Sequence, residues 1–265
     1  MLTIYSHSRL GAFESCPRKY WYAYIGKPEI ERFDTVEAFL GSRVHEALEE
    51  LYKRLMGGRQ MSRDEVLGWY DGEWDRQWHD GVRVVSKTLT ANDYREAGRE
   101  LLTAYYLRYQ PFDQARTVKL EAQVHIGLDP AGKYRLQGYI DRLAQRDDGA
   151  YEIHDYKTAN SLPAQAEADS DRQLALYQIG VQTTWPEARQ VDLIWHYLRF
   201  DKEIISRRTG EQLDAVRRQC IATIDDIESR GQDEAGFPTC PSYLCRWCEY
   251  NVLCPAGLEM SPGHQ

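Results

Sequence analysis

A chain of 265 residues with 42% hydrophobic and 28% charged residues is long enough to bury a real core, and is neither disordered nor collagen-like. Mean hydropathy is -0.64, no run approaches the roughly 18 apolar residues of a membrane span, and MLTIYSHSRLGAF carries neither the basic nor the apolar region of a signal peptide, so the expected location is the cytoplasm. The 33 basic and 41 acidic residues leave a formal net charge of -8, which argues against a broad phosphate-binding surface but leaves a local groove open.

Residues 8–24 carry Leu10, Phe13, Tyr20 and Tyr24 at helical intervals, interrupted by Pro17 directly after Cys16. This predicts a short helix, a turn at Cys16-Pro17 and a second, aromatic-rich turn. Over 34–56, Val36, Leu40, Val44, Leu48, Leu51 and Leu55 keep a helical period that Gly57-Gly58 ends. Further helices are expected over about 62–79 and 90–109. The period then becomes two: residues 116–127 alternate through Val118, Leu120, Ala122, Val124 and Ile126, and residues 133–144 alternate as well, with a DPAG turn between them. That is a hairpin. A third strand in YEIHDYK, a helix over about 169–184, a buried strand in VDLIWHYLRF, a short strand near EIIS and a helix over about 209–229 complete the order. Strands flanked by helices predict an α/β fold: a mixed central β-sheet flanked by helices, with a helical N-terminal region and a cysteine-rich C-terminal extension. The expected organisation is a single domain over 1–265, made of a helical part (1–110), a core (111–230) and a tail (231–265).

In YEIHDYK, side chains alternate between the faces of the strand, so Asp155 and Lys157 share one face and His154 and Tyr156 the other. Asp141, in GYIDRL, is expected to end the neighbouring hairpin strand and bring a second carboxylate to the same point. Two convergent carboxylates suit Mg²⁺ or Mn²⁺, and an adjacent lysine can sit against an attacking water or a scissile phosphate. A lone D-x-K triplet is commonly just a solvated strand end, and a lone His on an apolar helix is commonly core. Here His45 follows Gly41 in GSRVHEALEE, and Gln173 and Tyr177 stand four apart, on one helix face.

In this order, G-x-x-x-H, G-Y-I-D, D-Y-K and Q-x-x-x-Y, the chain resembles the PD-(D/E)XK nuclease superfamily, in the branch of the RecB and AddB nuclease domains and the CRISPR-associated RecB-like nucleases. The resemblance covers about residues 8–255. It implies a restriction-endonuclease-like core, a divalent metal ligated by His45, Asp141 and Asp155, a catalytic Lys157, and a Gln173/Tyr177 pair that holds DNA and the lysine. Asp155 stands where the family also uses Glu, one methylene longer.

Cys245, Cys248 and Cys254 read C-x2-C-x5-C, a spacing that wraps a metal centre and that an intracellular protein seldom uses for disulfides. Their fourth partner is either Cys240 or the distant Cys16, and a single C-x2-C knuckle is one short of a zinc ribbon. The family resemblance, through F-x-x-C-P-x-x-Y and C-R-W-C-x5-C-P, implies Cys16 with Cys245, Cys248 and Cys254 around a structural [4Fe-4S] cluster that ties the N-terminal helix to the tail. Cys240 and Cys220 are then unliganded. Arg9, Arg18 and Lys19 are the expected DNA-backbone contacts, whereas Trp195 and Tyr197 are read as core. The implied activity is a Mg²⁺- or Mn²⁺-dependent exonuclease on single-stranded DNA ends, in DNA repair and recombination or CRISPR adaptation. With no G-x-x-x-x-G-K-[ST] in the chain, unwinding would fall to a helicase partner, or DNA handling to a CRISPR integrase. The competing reading is a catalytically idle DNA-end-binding scaffold, against which the intact His45, Asp141, Asp155 and Lys157 set stands.

Overall fold

The structure, a computed structural model, describes residues 3–31 and 33–260; residues 261–265 of the expected tail lie outside the described residues. A two-residue strand, β1 (Ile4–Tyr5), precedes helices α1 (His7–Ser15) and α2 (Pro17–Trp21). Cys16 is extended between them, and Pro17 takes the first position of α2, where its missing N–H costs nothing. The aromatic-rich turn beyond is a π-helical turn over Tyr22–Gly26. Strand β2 (Asp34–Thr35) leads into α3 (Val36–Met56), whose cap Thr35 accepts from the Ala38 N–H. Helix α4 (Arg63–Gln77) starts on a Ser62/Glu65 capping box; then come strand β3 (Val82–Arg83), paired in parallel with β2, and α5 (Ala91–Tyr109), which starts on a Thr90/Asp93 box. Strands of two residues are too short to show a period, so neither β2 nor β3 is legible as sequence.

β4 (Arg116–Gly127) and β5 (Arg135–Gln145) form the expected hairpin, followed by β6 (Tyr151–Lys157). The helix expected over 169–184 is in fact two, α6 (Gln165–Ser170) and α7 (Arg172–Thr184). Asp171, extended between them, caps α7 by accepting from the Leu174 N–H. β7 (Val191–Tyr197) stops short of the expected run because Leu198–Phe200 tighten into a 3₁₀ turn. β8 (Lys202–Ser206), α8 (Gly210–Ser229) and α9 (Pro255–Met260) follow.

The described residues form two units, each drawn from separated segments: Met1–Arg32, Gly127–Gln137 and Asp214–Gln265 in the first, Phe33–Ile126 and Gly138–Leu213 in the second. In the second unit the sheet runs β4-β5-β6-β7-β8, parallel between β6 and β7 and antiparallel at β5–β6 and β7–β8, the mixed α/β architecture expected. β6 and β7 are buried along almost their whole length, as strands covered on both faces must be. One face is covered by α3, α4 and α5, whose shared core takes in Tyr156 of β6. Leu40, Leu48 and Leu51 of α3 are fully buried there; truncating any of them to Ala costs about 2–5 kcal/mol. The other face is covered by α7, which packs on β6 and β7 and meets Val124 and Ile126 of β4 at Gly180.

In the first unit, β1 pairs in parallel with Arg135 and Leu136. Phe237, fully buried, stacks on Tyr20 and meets Phe13 edge-on, while the Tyr22 ring packs on Tyr250. Two cations expected to face DNA are engaged inside this unit. Arg9 lies over the Tyr5 and Tyr24 rings and donates to the Tyr20 hydroxyl. Arg18 donates to the Phe237 carbonyl (2.7 Å) and pairs with Glu234. Helices α1 and α2 are thus tied to the 232–250 segment by aromatic packing and hydrogen bonds.

Candidate active site

β5 and β6 pair with Arg142 opposite His154, and the pairing stops there. Asp141 does not end its strand: it lies inside β5, with four residues beyond it. Where the ladder stops, its side chain takes over the backbone donor that a paired strand would satisfy, Oδ2 accepting from the Tyr156 N–H at 2.9 Å. Asp155 and Lys157 share a face of β6, and Lys157 Nζ lies 2.7 Å from Asp155 Oδ2. Gln173, on α7, joins the pair: its Oε1 accepts from Lys157 Nζ (3.3 Å), and its Nε2 donates toward Asp155 Oδ1 (3.4 Å) and the Tyr177 hydroxyl (3.2 Å). The Tyr177 ring rests on Gly138, where any Cβ would run into it, so the glycine of G-Y-I-D makes room for the tyrosine of Q-x-x-x-Y.

His45 reaches the same place from α3. Its Nε2 is 2.7 Å from the Tyr156 carbonyl, to which it donates, and its Nδ1 is 3.4 Å from Asp141 Oδ2. One turn earlier, Gly41 lets the helix approach Thr158, whose Oγ1 would stand 3.1 Å from a Cβ. The G-x-x-x-H spacing therefore seats α3 against the end of β6 and aims the imidazole at Asp141.

Charge follows geometry. Burial pushes the Asp155 carboxyl up, against the pull of Lys157. Burial alone would lower Lys157, but the charge and hydrogen bond of Asp155, then Asp141, hold it above its ordinary value, so the ammonium persists. For His45, burial is again outweighed by the hydrogen bond and charge of Asp141, which favour the imidazolium. His45 and Asp141 line a cavity of about 540 Å³ with Gly41, Glu46, Glu49 and Glu121. Desolvation, and then the charges of Asp141 and Glu49, push Glu121 up to about 7. Strand alternation reads Glu121 as an outward residue of β4; its left-handed backbone (φ 42°) is invisible in the sequence.

These donors fit a hard divalent cation. The set is carboxylate and imidazole; Asp155 Oδ2 is wholly buried with no hydrogen bond beyond its ion pair with Lys157; and the His45 Nε2–H is fixed on a carbonyl, the arrangement in which the other ring nitrogen is offered to a metal. As they stand, no three His, Cys, Asp or Glu side chains among the described residues are drawn together in a metal-holding arrangement. The carboxylates instead pair with Lys157 and His45.

The cysteines gather in the first unit. Cys16, Cys245, Cys248 and Cys254 line one cavity of about 180 Å³. Cys240, expected to be unliganded, also lines it. Burial pushes the Cys248 thiol up, and Cys16, more than two hundred residues away in the chain, and Cys254 add to the shift. None of the cysteines is in a disulfide, and Cys220 is fully buried on α8. Soft sulfur donors fit an iron-sulfur cluster or zinc.

A crystal structure from Eubacterium rectale, named "Putative exonuclease", superposes with a TM-score of 0.52 at 14% identity, covering 94% of this chain and 88% of that one, a likeness of fold. A structure of SSO0001 is 16% identical over 91% of this chain and 94% of that one, with a TM-score of 0.36. No curated protein matches. The profile of the PD-(D/E)XK nuclease superfamily matches residues 4–255, a span that holds the mixed sheet and all six positions from His45 to Tyr177. On that match the chain belongs to the PD-(D/E)XK nuclease superfamily.

Proposed function

We propose that this protein is a Mg²⁺- or Mn²⁺-dependent deoxyribonuclease that acts as an exonuclease on single-stranded DNA ends, and that it carries a structural [4Fe-4S] cluster on Cys16, Cys245, Cys248 and Cys254. Members of the superfamily typically use these two metals. The observation that carries the reading is the contact set of Asp155, Lys157 and Gln173 at the end of β6, beside Asp141 and His45. A scaffold that only binds DNA has no use for a half-buried lysine held on a buried aspartate.

His45, Asp141 and Asp155 would hold the divalent cation, which supplies Lewis acidity toward a phosphoryl oxygen and acidifies water. Lys157, kept protonated, orients the attacking water and offsets charge that develops on the phosphate. Gln173 fixes Lys157 through its carbonyl, and Tyr177 fixes Gln173. Attraction for DNA would be confined to the metal-loaded groove, because the chain as a whole is acidic. No helix of the described residues is long and apolar enough to cross a membrane. The setting proposed with this activity is cytoplasmic repair, recombination or CRISPR adaptation, with a helicase or integrase partner.

The test is digestion of end-labelled single-stranded and duplex DNA with and without Mg²⁺ or Mn²⁺. Metal-dependent shortening of single strands from an end, lost in Lys157→Ala, is expected; absence of cleavage under every condition transfers the protein to the scaffold reading. For the cysteines, anaerobically purified protein should absorb in the visible and contain iron. A colourless sample with stoichiometric zinc would reverse that assignment.

A further inference from the structure

Each carboxylate of the site has a strand neighbour that points through the sheet to the opposite face, and these neighbours contact one another. Arg142 follows Asp141, His154 precedes Asp155, and Tyr156 stands between Asp155 and Lys157. Arg142 is buried, and its partners are phenols and an imidazole rather than a carboxylate. Its Nε donates to the Tyr156 hydroxyl (3.2 Å), its Nη2 to His154 Nδ1 (3.0 Å), and its guanidinium lies 4.2 Å from the centre of the Tyr52 ring. Tyr52 bonds Tyr105 (2.7 Å), and His154 stacks on His196 with Nδ1 and Nε2 2.8 Å apart. A buried cation costs several kcal/mol to desolvate, and replacing such a group with apolar side chains is often neutral or stabilising, so stability alone does not account for it.

The backbone of Tyr156 supplies the link. Its N–H donates to Asp141 and its carbonyl accepts from His45, while its side chain is held by Arg142. Because side chains alternate across a strand, pinning residues 142, 154 and 156 on one face sets the direction of Asp141, Asp155 and Lys157 on the other. We propose that Arg142 is a positioning residue for phosphodiester hydrolysis: with Tyr156 and His154 it forms a buried brace beneath the sheet that fixes Asp141, Asp155 and His45 in the geometry that receives the divalent cation.

The inference rests on the nuclease reading, and its test separates the two. Arg142→Gln and Tyr156→Phe are compared with wild type in folded content, in kcat and KM on single-stranded DNA, and in Mn²⁺ binding by calorimetry without DNA. Arg142→Gln that remains folded should lose about 10–100-fold in kcat, with KM for DNA little changed and a weaker Mn²⁺ Kd, the scale of lost support behind a metal ligand. Arg142→Lys should recover part of both. A general packing role would lower the melting temperature and leave kcat per folded molecule and the Mn²⁺ Kd unchanged, and that result overturns the proposal. Should Arg142→Gln fail to fold, Tyr156→Phe, which removes one hydroxyl, must still weaken Mn²⁺ binding and kcat in parallel; wild-type values would overturn the brace. If wild type cleaves no DNA yet binds Mn²⁺, the nuclease reading fails while the calorimetric comparison still decides the brace. A wild type that neither cleaves nor binds Mn²⁺ overturns both.

Discussion

The carboxylate site and the cysteine cavity hold reactive groups in opposite ways. In the second unit the carboxylates project from β5 and β6, inside a hydrogen-bonded sheet, and each has a basic side chain beside it: Lys157 for Asp155, His45 for Asp141. In the first unit the sulfurs come from a junction between two short helices and from 3₁₀ and turn structure over 240–254, where no ladder fixes them. Lys19 is the cation that acts on Cys248, and burial outweighs it. A ladder fixes side-chain direction by backbone geometry, so a polar site there is preorganised by the protein itself. Thiols presented from turns depend on side-chain contacts such as Tyr22 on Tyr250 and Arg18 on Phe237.

The sharpest way to break this contrast is to remove the charge at one site and watch the other. On the proposed function, Lys157→Ala should lower cleavage by about 10²–10³-fold, as loss of a preorganised electrostatic group does, while any absorbance from the proposed cluster stays that of wild type. Conversely, on the cluster proposed above, Cys248→Ser should abolish the visible absorbance that cluster would give and expose the 240–260 segment to proteases, with the second unit still resistant in limited proteolysis. Equal loss of protection in both units would mean that the two sites are not independently held.

Smaller effects test the sheet. At Gly138→Ala the new methyl meets the Tyr177 ring, and the overpacking should cost up to about 3 kcal/mol in urea unfolding. It should also reduce activity by displacing the tyrosine from Gln173. Asp192, buried at 2% exposure on β7, accepts from Arg207 Nε (2.5 Å) and Arg146 Nη1 (2.6 Å). Burial raises its carboxyl, but the two guanidiniums outweigh burial and hold it below its ordinary value. Its contribution is therefore fully present above the unfolded carboxyl pKa, roughly 4, and is lost as pH falls through the lower folded value. Asp192→Asn should cost about 1.5 kcal/mol at neutral pH, and the difference from wild type should close in acid; a gap that widens there would contradict the pairing. At the bottom of the scale, Arg54→Ala removes an exposed helical pair with Glu50 and should change stability by less than about 0.5 kcal/mol.

Much of the second unit is legible from residue periods. The helices over 36–56, 63–77 and 91–109 and the strands of the hairpin follow their apolar spacing to within a few residues. The split between α6 and α7 is not, because Asp171 reads equally well as a residue inside a helix until its cap hydrogen bond is seen. Asp141 is a similar case: alternation locates its strand but does not say where the pairing with β6 ends. The surroundings of Cys240 and Arg18 are hidden for a different reason. What Arg18 and Cys240 meet comes from segments two hundred residues away, Phe237 for the cation and the Cys16 turn for the thiol, and nothing local encodes that.

By itself the sequence determined which residues share a face and which chemistry they can offer: Asp155 with Lys157, Gln173 with Tyr177, and a row of cysteines in the tail. Only the tertiary structure decided what each one meets. It brought His45 of α3 onto the Tyr156 carbonyl and toward Asp141, set Tyr177 on Gly138, and put Arg142, next in the chain to Asp141, on the Tyr156 hydroxyl beneath the site. The physical reason is that periodicity is a property of one strand or helix, whereas a site is made by the register and packing of several.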